Sequence, residues 1–387
     1  MRRFAISLLA LSLATPAFAD ADMNSFEVKG TDGLTINATP LAEFEAAWAM
    51  TFLPDGRAVV TEKTGEMWLL KKDGSKAGKI SGVPAVTARG QGGLGDIIVH
   101  PDFAKNGTIF LSYVERDADN NRLSGAVVER AKLTLGSTTG KISKRERVWT
   151  QSPKVTGNGH YGHRLVISPD GYLFISSGER QKFTPAQNMD MNLGKSIRLN
   201  QDGTAPKDNP FYVGDGSVSD EIWTLGHRNP LGIAFDPKGR LWMQEMGPRD
   251  GDELNLIERS KNYGYPVVSE GKHYSGVDIP DHADIPIYEA PEVAWVPAIS
   301  PGGLMFYTGS EFSDWKGDAF IGGLSSAAVI RVEFQDPKEG SRKGVTANEA
   351  ARYEWGNRIR EVEQGPDGAI YVLEDGDEGR LIKLTAK

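Results

Sequence analysis

The sequence predicts an all-β protein built from four-stranded antiparallel units set radially, a six-bladed β-propeller. Three observations carry the prediction: a hairpin signature recurring along the chain, an excess of glycine, and the absence of cysteine. The signature reads strand, Pro-Asp-Gly-like turn, strand. It occurs as MTFLPDGRAVVTEK at Pro54, IIVHPDFAKNGTIFLSY at Pro101 and LVISPDGYLFISSG at Pro169. It returns as IAFDPKGRLWMQE at Pro237, ISPGGLMFYTG at Pro301 and VEQGPDGAIYVLED at Pro366. The prolines are 47, 68, 68, 64 and 65 residues apart. Proline presets φ for such a turn and glycine takes its left-handed position, so each copy reads as a hairpin with alternating apolar flanks. A period near 65 residues leaves room for four strands and a long loop. Radial repetition of such units leaves only short, protected sheet edges. A β-sandwich does not call for six copies spread so evenly. Glycine, 45 of 387 residues, exceeds the usual share of about 7 %. With no cysteine, stability must come from the core and from any bound metal.

The chain opens MRRFAISLLALSLATPAFAD, with two arginines, an apolar run from Phe4 to Leu13 and the small-residue site Ala17-Phe18-Ala19. This pattern predicts a signal peptide over 1–19 and export to a bacterial periplasm. The run is too short to span a bilayer. Residues 20–387 are expected to form a single domain, because the repeats cover them all. Without the leader, 42 basic residues face 52 acidic ones, a net charge of −10. That excludes nonspecific nucleic-acid binding and makes any local cluster of arginines informative. Surface loops are expected at 117–125 and 338–350, and 380–384 is placed to close a ring against an N-terminal strand.

The richest stretch is Leu225 to Tyr265, LGHRNPLGIAFDPKGRLWMQEMGPRDGDELNLIERSKNYGY. One hairpin there carries Arg228 and Asn229 at one end of its strands. The turn after its second strand holds Gly247, Pro248, Asp250, Asp252 and Glu253, an oxygen-rich set suited to a hard cation. Ahead of the third repeat, His160 and His163 precede one strand, and Glu179 follows its partner. Hairpin strands return to the same end, which places Glu179 beside His160. A carboxylate on one imidazole nitrogen leaves the other as a base near neutral pH. For a lone histidine an ordinary structural hydrogen bond is the commoner role. The two histidines are not a zinc pair, since no cysteine or third ligand is near. Four glycines surround Gln91 in RGQGGLGD and allow close backbone approach, though a bent strand entry explains them equally. Arg358 and Arg360 share one face of a strand. With Arg228 they form a cationic group in an acidic protein, which favours an anionic ligand over scattered salt bridges.

Taken together, QGGLGD, GHYGHRL with SPDG and SGE, LGHRNPLGIAFDP, MGPRDGDELN with NYGYP, ISPGG with FIGGL, and RIREVEQGPDGAIYVLEDG resemble the pyrroloquinoline quinone (PQQ)-dependent soluble aldose and glucose dehydrogenases. The resemblance runs in order over nearly the whole mature chain. It implies His160 as general base and Glu179 as the acid that orients it. It implies Gln91, Arg228, Asn229, Tyr274, Arg358 and Arg360 as PQQ contacts. The carbonyls of Gly247 and Pro248 would hold the Ca2+ that also chelates PQQ, and Glu253 with the carbonyl of Tyr263 a second, structural Ca2+. The implied reaction is oxidation of a sugar at C1, the hydroxyl proton going to the histidine and hydride to the quinone. In the glucose-specific branch a lysine follows the leucine equivalent to Leu324; here Ser325 and Ser326 stand instead, which favours the broader aldose branch. Two other readings are a calcium-dependent propeller lactonase, with its metal held by Glu, Asn and Asp side chains in a central channel, and a non-catalytic ligand-binding propeller.

Overall fold

The computed structural model describes residues 22–337 and 344–387, so the leader called over 1–19 lies outside the described residues. The chain is all-β, with one short α-turn and three short 3-10 turns among the described residues. Its strands form five sheets: one of five strands, one of eight and three of four. Each four-stranded sheet runs up and down in chain order, as the repeat predicts.

The eight-stranded sheet departs from the expectation of separate four-stranded units. It consists of two such runs, 47–81 and 94–150, fused at their outer edges. The seam is a short parallel pairing, Gly140 with Ile80 and Lys141 with Ser81. Glycine makes it possible: a Cβ on Gly78 would stand 2.2 Å from the carbonyl oxygen of Thr138, and one on Gly82 2.3 Å from that of Ile142. The five-stranded sheet closes the fold. Its C-terminal strand Gly379–Ala386 pairs antiparallel with Thr35–Phe44, from Ile36 opposite Ala386 to Phe44 opposite Gly379. Thr35–Phe44 alternates half-buried and buried residues without a break, the period-2 signature of a strand with one face on the core.

The turns at Pro54, Pro169, Pro237 and Pro366 join consecutive antiparallel strands, and the one at Pro101 also contains the helical turn Phe103–Asn106. The copy at Pro301 is different. Pro301 is the first residue of the strand Pro301–Phe306, paired with Gly323, and is not a hairpin turn. Its glycines serve close packing: a Cβ on Gly302 would meet the Arg360 carbonyl oxygen at 2.6 Å, and one on Gly303 would collide with the Glu361 carboxylate. Of the loop expected over 338–350, residues 338–343 lie outside the described residues, and 346–350 belong instead to the strand Thr346–Glu354.

Apolar clusters fill the space between successive sheets. Val59 and Leu69 pack with Ile97 and Leu111, Phe110 and Val128 with Leu165 and Ile175, and Phe174 with Ile233 and Met243. The sequence continues through Trp242 and Leu254 with Ile321 and Ile330, then Phe320 with Val362 and Ile382, and returns to the start through Leu373 and Leu381 with Met50 and Val60. Each large apolar side chain buried this way contributes about 1.5–3 kcal/mol. The strands Ala47–Phe52, Leu94–Val99, Gly162–Ile167, Pro230–Phe235, Pro301–Phe306 and Ile359–Gln364 each contact the next, and the last contacts the first.

Arg164 sits where these six strands converge. Its Nε donates to the carbonyl of Leu231 at 2.8 Å, and its terminal nitrogens reach the Glu361 carboxylate and the Arg360 carbonyl. Asp96 lies 3.6 Å away, and the guanidinium covers the Trp48 ring at 4.1 Å. One buried side chain therefore touches residues from four other converging strands. Replacing it with methionine strands Asp96 and Glu361 without their cation. The expected cost is about 3–5 kcal/mol, the range for breaking a buried ion pair. Urea unfolding of Arg164→Met measures it. The deficit should shrink as pH falls, because the stranded carboxyls then take up protons.

Candidate active site

The strands Gly162–Ile167 and Leu173–Ser177 pair with Gly162 opposite Ser177, so the residues just outside them emerge together. His160 Nδ1 lies 2.5 Å from Glu179 Oε1. The second Glu179 oxygen accepts from the backbone N–H groups of Lys182 and Phe183. The His160 N–H donates to Gln91 Oε1 at 2.6 Å, which places Gln91 against the same segment. Gly178 is required here, since a Cβ would stand 2.2 Å from the His160 carbonyl oxygen. The local backbone is unusual: His160, His163, Arg180, Gln181 and Phe183 all have φ between 49° and 65°, a region non-glycine residues seldom occupy. Arg180 holds it in place. Its fully buried guanidinium donates to the carbonyls of Gly159, Ser124 and Gly157 and stacks 3.7 Å from Tyr161.

Burial holds the His160 imidazole below its ordinary pKa; Glu179 works against that shift and Arg228 adds to it. Burial also works to raise Glu179, but the hydrogen bond and charge of His160 and the two backbone N–H groups outweigh it and keep the carboxyl below its ordinary value. A neutral imidazole donating from Nδ1 to an ionised carboxylate satisfies both directions. Nε2 has no hydrogen-bond partner among the described residues and is left as a proton acceptor.

Beside this pair opens a cavity of about 360 Å³ whose wall includes Gln91, Asn229, Arg358, Arg360, Lys63 and Asp375. Arg358 donates from Nε to Asp375 Oδ2 at 2.9 Å, and Arg360 from Nε and a terminal nitrogen to Asp375 Oδ1 at 2.9 and 2.7 Å. The two arginines thus share one carboxylate. Asn229 is fully buried and its Oδ1 has no partner; Arg228 Nε is likewise buried and unpartnered. Arg228 is positioned by its backbone. Its carbonyl accepts from Glu179 N–H at 2.8 Å, and its N–H donates to Glu245 Oε2 at 2.5 Å. The other Glu245 oxygen receives His227 Nδ1 at 2.8 Å. Tyr274 stands exposed, its ring 5.9 Å from the Arg228 guanidinium.

The acidic turn divides into unlike parts. Asp252 uses both oxygens on backbone N–H groups, one on Gly247 at 2.8 Å and the other on Ile299 and Ser300 at 2.8 and 2.6 Å. Asp250 accepts from Ala298 N–H at 3.1 Å. These two carboxylates tie loops together instead of converging on a cation. Glu253 points the other way, as the next residue of a strand must, and lies directly opposite Glu245 in the neighbouring strand. Burial and the Glu245 charge raise its pKa well above the ordinary value. Its hydrogen-bond donor is Asn255 at 3.3 Å, and Asn255 Oδ1 is buried without a partner. The Tyr263 carbonyl accepts from His282 Nε2 at 3.1 Å when that nitrogen carries the proton. Arg228 donates to the carbonyls of Met246 and Gly247, so the Gly247 oxygen already has a cationic partner; Pro248 is buried beside it. Among the described residues no three His, Asp or Glu side chains are arranged to hold a metal ion.

The structure thus lines one cavity with Gln91, Asn229, Arg358 and Arg360, while His160, Glu179, Arg228 and Tyr274 lie outside that lining. His160 is joined to it through its backbone bond to Gln91, Glu179 through His160, Arg228 as the chain neighbour of Asn229, and Tyr274 through Arg228 at 5.9 Å. Gly247, Pro248, Glu253 and Tyr263 do not line that cavity, although Met246, next to Gly247, does. Ser325, where a lysine was expected in the glucose branch, donates to the Ala298 carbonyl at 3.2 Å. Sequence reading passed over Glu245, Asp375, Arg180 and Lys63. A signal for the first two was present: like Glu179, each sits at or just past the end of the second strand of a repeat.

A closed all-β ring with a buried histidine–carboxylate pair beside a cavity lined by arginines has the form of a small-molecule enzyme. The family model "Glucose / Sorbosone dehydrogenase" matches residues 44–383, and the chain belongs to that family. Aldose sugar dehydrogenase YliI of Escherichia coli (strain K12) is 37 % identical over 358 residues, covering 91 % of this chain and 94 % of the relative. The crystal structure of the soluble aldose sugar dehydrogenase from Escherichia coli, in the apo-form, superposes with a TM-score of 0.81 at 36 % identity, covering 91 % of this chain and all of that one. Quinoprotein glucose dehydrogenase B of Acinetobacter calcoaceticus is 26 % identical, covering 96 % of this chain and 91 % of the relative.

His163 plays a different part from His160. Its Nδ1 meets Ser112 Oγ at 2.8 Å, its ring stacks on Trp48 at 5.0 Å, and burial pushes its pKa down to about 3. An unfolded chain binds a proton at this site below about pH 6.5, whereas the folded chain does not until about pH 3, so stability falls as pH drops through this window. At pH 4 the site alone should cost roughly 3 kcal/mol. Urea unfolding between pH 7 and 4 should show this decline, with about one proton fewer taken up on unfolding in His163→Gln.

Proposed function

We propose that the protein is a PQQ- and Ca2+-dependent aldose sugar dehydrogenase that oxidises the C1 hydroxyl of sugars to lactones, with His160 as general base. The observation that carries this reading is the buried His160–Glu179 pair, with Nε2 free, beside the arginine-lined cavity. The donor set suits a planar tricarboxylate. Arg358 and Arg360 would pair with carboxylates in partial exchange for Asp375, and the amides of Gln91 and Asn229 would meet ring heteroatoms. The unpartnered Arg228 Nε and Asn229 Oδ1 support this fit, as one buried donor and one buried acceptor that protein groups leave unsatisfied. PQQ, when bound, supplies a two-electron acceptor for the hydride leaving C1. The chain supplies the rest. Glu179 fixes the imidazole ring, Nε2 takes the C1 hydroxyl proton, and the imidazolium formed is balanced by the Glu179 carboxylate.

Calcium fits the second location better than the first. Glu253 is a buried carboxylate facing Glu245 with a weak donor, a like-charge pair that a cation relieves. At Gly247 and Pro248 a cation would require Arg228 to release the Gly247 carbonyl. A lactonase with a metal held by side chains in the central channel is disfavoured, because Arg164 occupies the meeting point of the strands. A non-catalytic ligand binder gives no reason for an imidazole with a free Nε2 held on a buried carboxylate.

The same reading makes the fold a six-bladed propeller over 20–387, the eight-stranded sheet counting as two blades joined edge to edge. It makes 1–19 a signal peptide and the mature enzyme periplasmic; no helix among the described residues is long and apolar enough to cross a membrane.

The test is single-turnover reduction of bound PQQ by an aldose, which keeps the external electron acceptor out of the measurement. His160→Gln should retain PQQ and lose about 10²–10⁴-fold in rate, the range for removing a general base. His163→Gln should lose far less. A His160 variant reducing its quinone at the parent rate would falsify the assignment. For the metal, Ca2+ added after exhaustive chelation should raise the melting temperature, because a ligand bound only by the folded state stabilises it. Glu253→Gln should abolish that rise. A melting temperature indifferent to calcium in the metal-stripped parent removes the structural site.

A further inference from the structure

The glycine run around Gln91 has a structural purpose that neither the fold nor the proton transfer absorbs. A Cβ on Gly93 would stand 2.6 Å from Cγ of Lys63 and 2.2 Å from its carbonyl oxygen. Gly93 also has φ +135°, so the position is reserved for glycine twice over. The run therefore makes room for the stem of Lys63. The Lys63 backbone is pinned at both ends, its N–H donating to the Ala46 carbonyl at 3.0 Å and its carbonyl accepting from Leu94 N–H at 3.1 Å. Its side chain is half-buried and lines the cavity that Gln91, Arg358 and Arg360 also line. No carboxylate among the described residues pairs with its ammonium group.

The charges on the cavity wall give this lysine its consequence. Arg358 and Arg360 face two carboxylates on the same wall, Asp375, which both arginines already engage, and Asp377. Those four charges cancel. Lys63 is the fifth formal charge on the wall and leaves it net positive. A half-buried lysine ammonium with no protein partner gains a charge-assisted bond from an incoming carboxylate without giving one up, and its fixed backbone confines the ordering cost to the side chain's own rotamers.

We propose that Lys63 is a cofactor-binding residue: its ammonium pairs with a carboxylate of the quinone and provides the net positive charge of the cavity. The proposal rests on the PQQ reading above and assigns Lys63 no part in the proton transfer. It is tested by titrating the metal-replete full-length mature protein with PQQ and following quenching of tryptophan fluorescence, since Trp48 lines the same cavity. No turnover is needed. Lys63→Gln should weaken binding about 10- to 100-fold, the equivalent of losing one hydrogen bond to a charged group. Its dissociation constant should also respond less to added salt than the parent's. Lys63→Arg should recover most of the affinity, and Lys71→Gln, at an exposed position, should change nothing. Melting curves of each variant separate lost affinity from lost folding. Parent-like PQQ affinity in Lys63→Gln overturns the proposal. So does a variant that binds PQQ normally but shows a raised KM for the sugar, which would place the ammonium on the substrate. A parent protein that takes up no PQQ overturns the quinone reading itself, and Lys63 with it; that outcome is seen before any variant is made.

Discussion

The fold depends on one buried cation. Arg164 reaches a backbone carbonyl or a carboxylate on three of the neighbouring strands and the Trp48 ring on a fourth. A centre where strands converge from all sides has little room and many inward-facing polar groups. Apolar side chains would fill it but would not fix the rotation of each sheet about the axis. A planar guanidinium with donors in several directions does both, provided carboxylates balance its charge. The cost is two buried acids, Asp96 and Glu361, whose burial is tolerable only while the arginine is present.

With that centre set, the site follows from a repeated local rule. An acidic residue sits at or just past the end of the second strand of a repeat at Glu179, Glu245 and Asp375, and each receives donors from residues at or just before the start of a converging strand. Glu179 takes His160, Glu245 takes His227 and the Arg228 N–H, and Asp375 takes Arg358 and Arg360. The same geometry therefore gives an imidazole with one unpartnered nitrogen in one repeat, a scaffold for an arginine in the next and a paired guanidinium cluster in another. What distinguishes them is the environment. His160 keeps Nε2 free, whereas His227 is closed off by Thr224 Oγ1 at 2.8 Å and by Tyr263 stacked on its ring. The left-handed φ values at His160, His163, Arg180, Gln181 and Phe183 accompany the turns that bring that imidazole onto Glu179, and the buried Arg180 ties the two segments together.

Much of this was legible in the sequence. Alternating apolar residues around Pro-Asp-Gly turns determine hairpins, because proline and glycine restrict the backbone whatever surrounds them. The even spacing of those hairpins determines a radial arrangement, and hairpin connectivity alone places Glu179 beside His160. The tertiary structure decided what depends on distance between chain segments far apart. Pro301 looked like a turn and begins a strand, because Gly302 and Gly303 are needed for contact with Arg360 and Glu361, nearly sixty residues on. Asp252 and Glu253 are adjacent in the chain, yet pleating sends one to backbone N–H groups and the other to face Glu245. Two arginines on one strand announce a cationic surface, but only the folded chain shows that Asp375 half-cancels it and that Lys63 lines the same wall. Local sequence sets dihedral preference and alternation, which are short-range. Charge balance and close approach are sums over neighbours that only folding brings together.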